Sequence, residues 1–465
     1  MQHHSRMKAV EQSVGDTTDE TSDCEKSVQP PDGGRGWVVT ISSFFICMVV
    51  DGVNGIFGIF YPELLSAFGG SKGKTQISSS AMFGTLLVLA PVSGVLMEKY
   101  GHRKVAICGG LISSTGLFLS TFSPNLDVMI LLYGFVGGFG MALLYPTSLV
   151  VVGMYFEKRR ALATGIAVSG SGIGTLVFAP LSEILLETYG WRGTIWLMSA
   201  VVLNTVVCGS FYRPIGRQES MTAKSETTKK NCILNVFDLS LLTYPVFILH
   251  AFSGFLYSIA YNIPLSYLPA QAKFVEISSQ ESALLISIIG ISGTISRILI
   301  GYISDKRCVN TLVLNSTMLM IGGLATCFVP YYTTFSALSL YSATYGAVAA
   351  TFVSVMTINL VKLMGLQNLP RTLGLYFLCM GIGSFIGSPV AGALSETSRN
   401  YNNAFYFGGV AMGLAGLVSL PLTHLANRKQ NRTADINGFT NRSFTLEQIT
   451  SISLKSLKHV SYTST

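Results

Sequence analysis

Two charged side chains stand out inside long apolar runs. Asp51 follows Ile46-Cys-Met-Val-Val, and Arg297 lies within Gly293-Thr-Ile-Ser-Arg297-Ile-Leu-Ile. A guanidinium stays charged, and its planar fork suits a carboxylate bidentately. A carboxylate held away from water could take up a proton or pair with a cation. Together the two could hold opposite ends of a zwitterion, or an acid on Arg297 and a proton on Asp51. Two structural uses stand beside these. Asp51 could serve as a hydrogen-bond tie to a neighbouring helix, and Arg297, about seven residues from a span end, could snorkel to the interface. Asn54, one helical turn after Asp51, shares its face and offers donors. His250 is a lone helical histidine, a pattern that fits a hydrogen bond to a neighbour better than a proton relay.

No catalytic cluster accompanies these charges. The sequence carries no HExxH, paired-Asp or Ser/His/Asp arrangement near the apolar runs, and its 8 cysteines show neither CxxC nor metal spacing. Neither an enzyme, a resident metal nor a bound cofactor is therefore expected.

The elements that must position Asp51 and Arg297 follow from composition. Of the 465 residues 49% are hydrophobic and only 12% charged, with mean hydropathy +0.50; soluble domains carry about 25% charged residues. Apolar runs of about 18 or more residues cross a roughly 30 Å hydrocarbon core as helices. Twelve such spans are predicted, at 37–61, 77–97, 105–122, 128–153, 161–185, 193–212, 241–268, 282–304, 310–330, 335–361, 372–395 and 403–425. This gives a polar tail 1–36, a six-helix bundle 37–213, a linker 214–240, a second bundle 241–425 and a Ser/Thr-rich tail 426–465, expected to be disordered. The first 30 residues lack an apolar h-region, so the first span is expected to direct insertion. Asp51 lies 14 residues beyond Trp37, roughly 21 Å along a helix. At that depth an ionisable side chain costs at least ~2.5–3.5 kcal/mol, which marks it as a functional candidate.

Charge in the loops sets orientation. One set of alternate loops holds Lys99, Arg103, Lys104, Lys158, Arg159, Arg160, Lys306, Arg307, Lys362 and Arg371; the other holds Lys72, Lys74, Arg192, Lys273 and Arg399. Ten against five, with an even span count, places both termini in the cytosol. The net charge of +8 is accounted for by these loops, with no need to invoke nucleic acid.

The chain also repeats itself. Gly94-Val-Leu-Met-Glu98-Lys99 after span two matches Gly301-Tyr-Ile-Ser-Asp305-Lys306 after span eight. Gly165, Gly172-Ile173-Gly174 and Pro180 of span five match Gly374, Gly381-Ile382-Gly383 and Pro389 of span eleven. Duplicated bundles that rock about a midplane site are how carriers achieve alternating access. Small residues let such helices approach closely where lipid supplies no hydrophobic drive. The acid and basic residues at these loops (Gly94, Glu98, Lys99, Arg103, Gly301, Asp305, Lys306) could form a conformational latch of charge pairs, or act only as topology charges.

The loop pattern resembles the Gly-x-x-x-Asp-(Arg/Lys)-x-Gly-(Arg/Lys)-(Arg/Lys) signature of the major facilitator superfamily. Two further stretches are narrower. Asp32-Gly33-Gly34-Arg35-Gly36-Trp37 precedes span one, and Tyr155-Phe156-Glu157-Lys158-Arg159-Arg160-Ala161-Leu162-Ala163-Thr164-Gly165 enters span five, followed by Gly170. Both resemble the paired signatures of the monocarboxylate transporter family, over about residues 30–425, with Arg35 standing where that family carries an aromatic.

The resemblance implies an all-α carrier of twelve helices in two six-helix pseudo-repeats, in the plasma membrane, moving a small carboxylate or related metabolite. Such relatives carry lactate and pyruvate with a proton, or amino acids, thyroid hormones, creatine or carnitine, and some need a single-span immunoglobulin-like chaperone. It also implies that Arg297 holds the substrate carboxylate. The proton-linked members place an Asp one turn before that arginine and a Lys in span one; here those positions are Gly293 and Gly55. The expected function is thus transport of a carboxylate or zwitterion. The alternatives are a strict proton–monocarboxylate symporter and a receptor derived from a carrier.

Overall fold

A computed structural model describes residues 33–156, 159–213, 239–304, 309–365, 369–397 and 400–423, and every regular element among them is helical. Helix α1 runs Arg35–Gly55 and continues, past a break at Ile56, as Phe57–Phe68. Helices α2 (Lys72–Tyr100), α3 (His102–Ser120) and α4 (Leu126–Tyr155) follow. The apolar stretch Arg160–Ser210 is two helices, α5 (160–189) and α6 (191–210), folded apart at Gly190 with φ +66°; only glycine adopts that conformation freely. The second set is α7 (Pro245–Phe274), α8 (Ser279–Ser304), α9 (Thr311–Cys327), α10 (Phe335–Met364), α11 (Leu369–Thr397) and α12 (Asn402–Thr423).

The chain turns sharply between helices because their first N–H groups are met locally. Ser71, Asn125, Asn310 and Thr334 accept from the backbone N–H of Lys74, Val128, Leu312 and Ala337 at 3.1, 3.0, 3.1 and 3.4 Å. In lipid an unpaired backbone group has no water to turn to, so such caps matter more than in a soluble protein.

Span seven differs from expectation. The sequence places its end at 268, with Pro264 as a possible break; the helix instead carries both Pro264 and Pro269 and ends at Phe274. A proline removes one backbone bond, but neighbouring helices hold the segment, as membrane helices commonly allow. Pro264 is itself buried within the bundle.

Small residues set the packing. A Cβ on Gly170 would stand 2.2 Å from the Phe44 carbonyl oxygen, and one on Gly174 2.0 Å from that of Met48, so α5 lies on the backbone of α1. The two helix sets meet along three seams: α1 with α7, α2 with α11, and α5 with α8. On the second seam Gly84 abuts the Phe385 ring and Gly381 abuts Val88; on the third Gly172 abuts Gly290 and Thr294.

The seams are closed at one end and parted at the other. Toward residues 58–73, 176–187 and 261–273 the sets touch through backbone, with a Cβ on Gly58 falling 2.2 Å from the Leu265 carbonyl oxygen. At the other end a Cβ on Gly94, Gly165 or Gly301 would meet nothing within 4 Å, and Leu162 and Tyr302 are exposed.

Candidate functional site

Asp51 and Arg297, 246 residues apart in sequence, are brought to one place on the α1/α5/α8 seam. The Arg297 guanidinium donates through Nη1 to the Val168 carbonyl at 3.1 Å and to the Ser171 hydroxyl. The Asp51 carboxylate stands near the same hydroxyl and within electrostatic reach of the guanidinium. The two charged groups form no ion pair within 4.0 Å of each other. Ser171 is 2% exposed.

This arrangement leaves binding capacity. Arg297 Nε is buried and makes no hydrogen bond to protein. Its guanidinium lies on the seam, half-buried. Arginine donors that have no protein partner are suited to an incoming carboxylate.

Around the pair stand groups that sequence reasoning did not single out. Tyr145 from α4 and Tyr261 from α7 both lie within electrostatic reach of Asp51 and Arg297, as does the Cys47 thiol. Cys47 Sγ sits 3.4 Å from Ser148 Oγ. The Tyr261 ring stacks on Phe83 of α2, centroids 5.2 Å apart, and its carbonyl accepts from the Tyr345 hydroxyl. Tyr257, one turn earlier, stacks on Phe352 at 3.6 Å. Both helix sets thus contribute aromatic walls beside the charges. Nothing local in the sequence distinguishes these tyrosines from packing residues; only the seam brings them together.

The other expected residues fall variously. Asn54 donates its amide to the Val50 carbonyl at 3.0 Å, back along its own helix. A Cβ at Gly55 would lie 3.3 Å from Thr175 of α5, so a long side chain there would have to push Thr175 aside. At Gly293 the nearest atom is the Gly346 carbonyl oxygen at 3.5 Å, ordinary contact. His250 is buried, stacked on Tyr376 with centroids 5.0 Å apart, and neither ring nitrogen bonds to protein.

Of the latch residues, Glu98, Lys99 and Arg103 are exposed. Lys99 lies over the neighbouring Tyr100 ring at 5.0 Å, and no ion pair joins these three to another described residue. Asp305 and Lys306 lie outside the described residues, as do Asp32 and Lys158.

The two narrow signature stretches pack on each other. The Trp37 ring meets Phe156 edge-on at 5.1 Å, and a Cβ on Gly36 would stand 2.8 Å from Phe156 Cζ. Gly33 and Gly34 start the turn into α1, with Gly34 at φ +54° and their carbonyls accepting from Gly36 and Trp37. Tyr155 donates to the Arg213 carbonyl at 2.8 Å, Arg159 is exposed, and Gly170 is the close contact with α1 described above.

Known proteins share this sequence and this fold. Residues 43–357 and 316–461 match the model of the Major Facilitator Superfamily. Monocarboxylate transporter 12 of Xenopus laevis is 32% identical over 427 residues, covering 88% of this chain and 93% of the relative. The human protein of that name is 31% identical, covering 83% and 80%. Monocarboxylate transporter 9 of Gallus gallus is 28% identical, covering 84% and 93%. Among solved structures, a D-xylose-proton symporter superposes with TM-score 0.67 over 83% of this chain and 98% of its own, at 14% identity. A nucleoside transporter does so with TM-score 0.64, over 85% and 99%, also at 14% identity; at such identity the likeness is one of fold. The chain is thus a multi-pass membrane transporter of small molecules, and it belongs to the monocarboxylate transporter family of the Major Facilitator Superfamily.

Proposed function

We propose that this protein moves a small carboxylate or zwitterionic metabolite across the plasma membrane by alternating access. Arg297 binds the carboxylate, and Asp51 binds either a cationic group on the substrate or a coupled proton. The observation that carries the proposal is that Arg297 and Asp51, from different helix sets, stand near each other on the seam beside Ser171, with Arg297 Nε left without a protein partner. A site shared between two rocking sets is remade each time they move, which is what alternating access requires.

Strict proton–monocarboxylate symport is the less supported reading. Gly55 and Gly293 stand where the proton-linked relatives are expected to carry Lys and Asp, and Thr175 crowds the first of these positions. The parted end, which carries the exposed Glu98, Lys99 and Arg103, corresponds to a released latch and, on loop charge, to the cytosolic side.

Uptake by expressing cells tests the proposal, with labelled pyruvate, creatine, carnitine and neutral amino acids in acidic and alkaline medium against mock-expressing cells. Zwitterion uptake with little pH response supports the Asp51–Arg297 pair as two ends of one site. Pyruvate uptake that rises steeply in acid makes the protein a proton symporter. Surface protein with no uptake of any of these would argue for the receptor alternative.

A further inference from the structure

The closed end of the bundle is held by two carboxylate contacts between the helix sets, one to a backbone N–H and one an ion pair, and neither belongs to the substrate site. The first involves the start of α2. Ser71 caps that helix, so Lys72 is its first residue, with a backbone N–H that no intrahelical carbonyl can reach. Glu396 at the end of α11 accepts that N–H with its carboxylate, an acid capping a helix of the opposite set. The Lys72 ammonium reaches in the same direction, to the Ser395 carbonyl at 3.4 Å and over the Tyr401 ring at 4.5 Å. Beneath this contact the helices cross at backbone distance, since a Cβ on Gly392 would lie 2.6 Å from Gly73 Cα.

The second contact joins α5 to α7. Glu183 Oε1 pairs with Lys273 Nζ at 3.4 Å, and the glutamate side chain is 5% exposed against 31% for the lysine. A buried carboxylate without its partner is strongly unfavourable, so this pair holds its two helices together only while the seam is shut. The two contacts occupy comparable places in the two sets without being matched by the repeat, which sets Glu396 on Glu187 rather than on Glu183. In each, an acid near the end of span five or eleven meets a lysine at or just before span two or eight of the other set. The nearby Lys74–Asp127 pair is unlike them. It joins α2 to α4 within one set and so does not cross between the sets.

We propose that Glu396 and Glu183 form a pair of locks that select the conformation closed at this end, and that both must release before that end opens. The proposal rests on the alternating-access reading, and it assigns the outer gate to residues distinct from the cytosolic latch motifs and from Arg297.

The test uses the full chain in detergent, where both ends of the bundle are open to reagent, with its 8 native cysteines replaced. Two single reporters are compared: Ser266→Cys, 2% exposed at the closed end, and Val95→Cys toward the parted end of α2. With Glu183→Gln and Glu396→Gln combined, a maleimide is expected to label Ser266→Cys about tenfold faster, equivalent to about 1.4 kcal/mol. Lys74→Gln is expected to leave the rate unchanged, and the swapped pair Glu183→Lys with Lys273→Glu to return it toward the parent when Glu396 is intact. Unchanged labelling of Ser266→Cys in the double neutral variant, with the protein monodisperse, overturns the locks. If Ser266→Cys speeds up while Val95→Cys does not slow, the locks stand and the alternating-access reading fails.

Discussion

Arg297 of α8 donates to the Ser171 hydroxyl of α5, and Asp51 of α1 stands nearby. One small side chain therefore holds a fixed positive charge across the seam between the two helix sets, close to an acidic group. Ser171→Ala keeps the packing volume and removes that link. A hydrogen bond to a charged group contributes about 1.5–3 kcal/mol, so substrate affinity is expected to fall about tenfold or more, with surface expression close to wild type. Concentration-dependent uptake, read as KM, checks this.

Asp51→Asn separates the two roles open to Asp51. If it carries a proton, the variant loses pH dependence between acidic and alkaline medium and keeps its substrate preference. If it binds a cationic group, preference moves from zwitterions toward simple carboxylates, with pH dependence unaltered. Uptake of pyruvate and of carnitine by the variant at both pH values distinguishes these outcomes.

Gly170→Val should prevent folding to the surface. Even the Cβ of the new side chain would fall 2.2 Å from the Phe44 carbonyl oxygen, and backbone cannot yield as a flexible side chain does. Overpacking of this kind costs typically about 1–3 kcal/mol, and both Phe44 and Gly170 belong to long helices that would have to separate. Surface biotinylation is expected to show most of the variant retained inside the cell, whereas Gly165→Ala, at a position with nothing within 4 Å, should reach the surface normally.

Trp37 and Phe156 join the turn before α1 to the entry of α5, edge to face at 5.1 Å. Removing a large buried ring costs about 3–5 kcal/mol; Trp37 is half-buried, so the lower part of that range applies. Phe156→Ala, at a residue 1% exposed, should lower the melting temperature more than Trp37→Ala. The double variant should fall short of the sum, because the aromatic pair itself contributes about 0.5–1.5 kcal/mol. Thermal unfolding of the purified variants measures both effects.

Much of this architecture was legible in the sequence because a bilayer imposes a simple rule. Apolar runs must be helices, and their count and loop charges follow directly. Asp51 and Arg297 stood out for the same reason, as charges where charge is expensive. Helix limits were less legible. Pro264 has the form of a breaker, yet α7 continues to Phe274 because packing around it outweighs one missing backbone bond. Ser171 appears in the sequence only as one small residue among several in Ser169-Gly-Ser-Gly. Tyr145 and Tyr261 acquire their meaning from Asp51 and Arg297, 36 or more positions away, and no local pattern carries that. Glu183 did offer a signal, an acid within Leu181-Ser-Glu-Ile-Leu-Leu-Glu187, and the partner that explains it, Lys273, lies in the other set.

The most direct test of the substrate site is uptake of labelled pyruvate and carnitine by cells carrying Arg297→Ala or Arg297→Lys, normalised to surface protein. Uptake of whichever of these the wild type carries should drop about 100-fold or more in both, since lysine keeps the charge but lacks the planar fork. Uptake within a few-fold of wild type in Arg297→Ala, at equal surface level, would show that the carboxylate is held elsewhere and contradict the account.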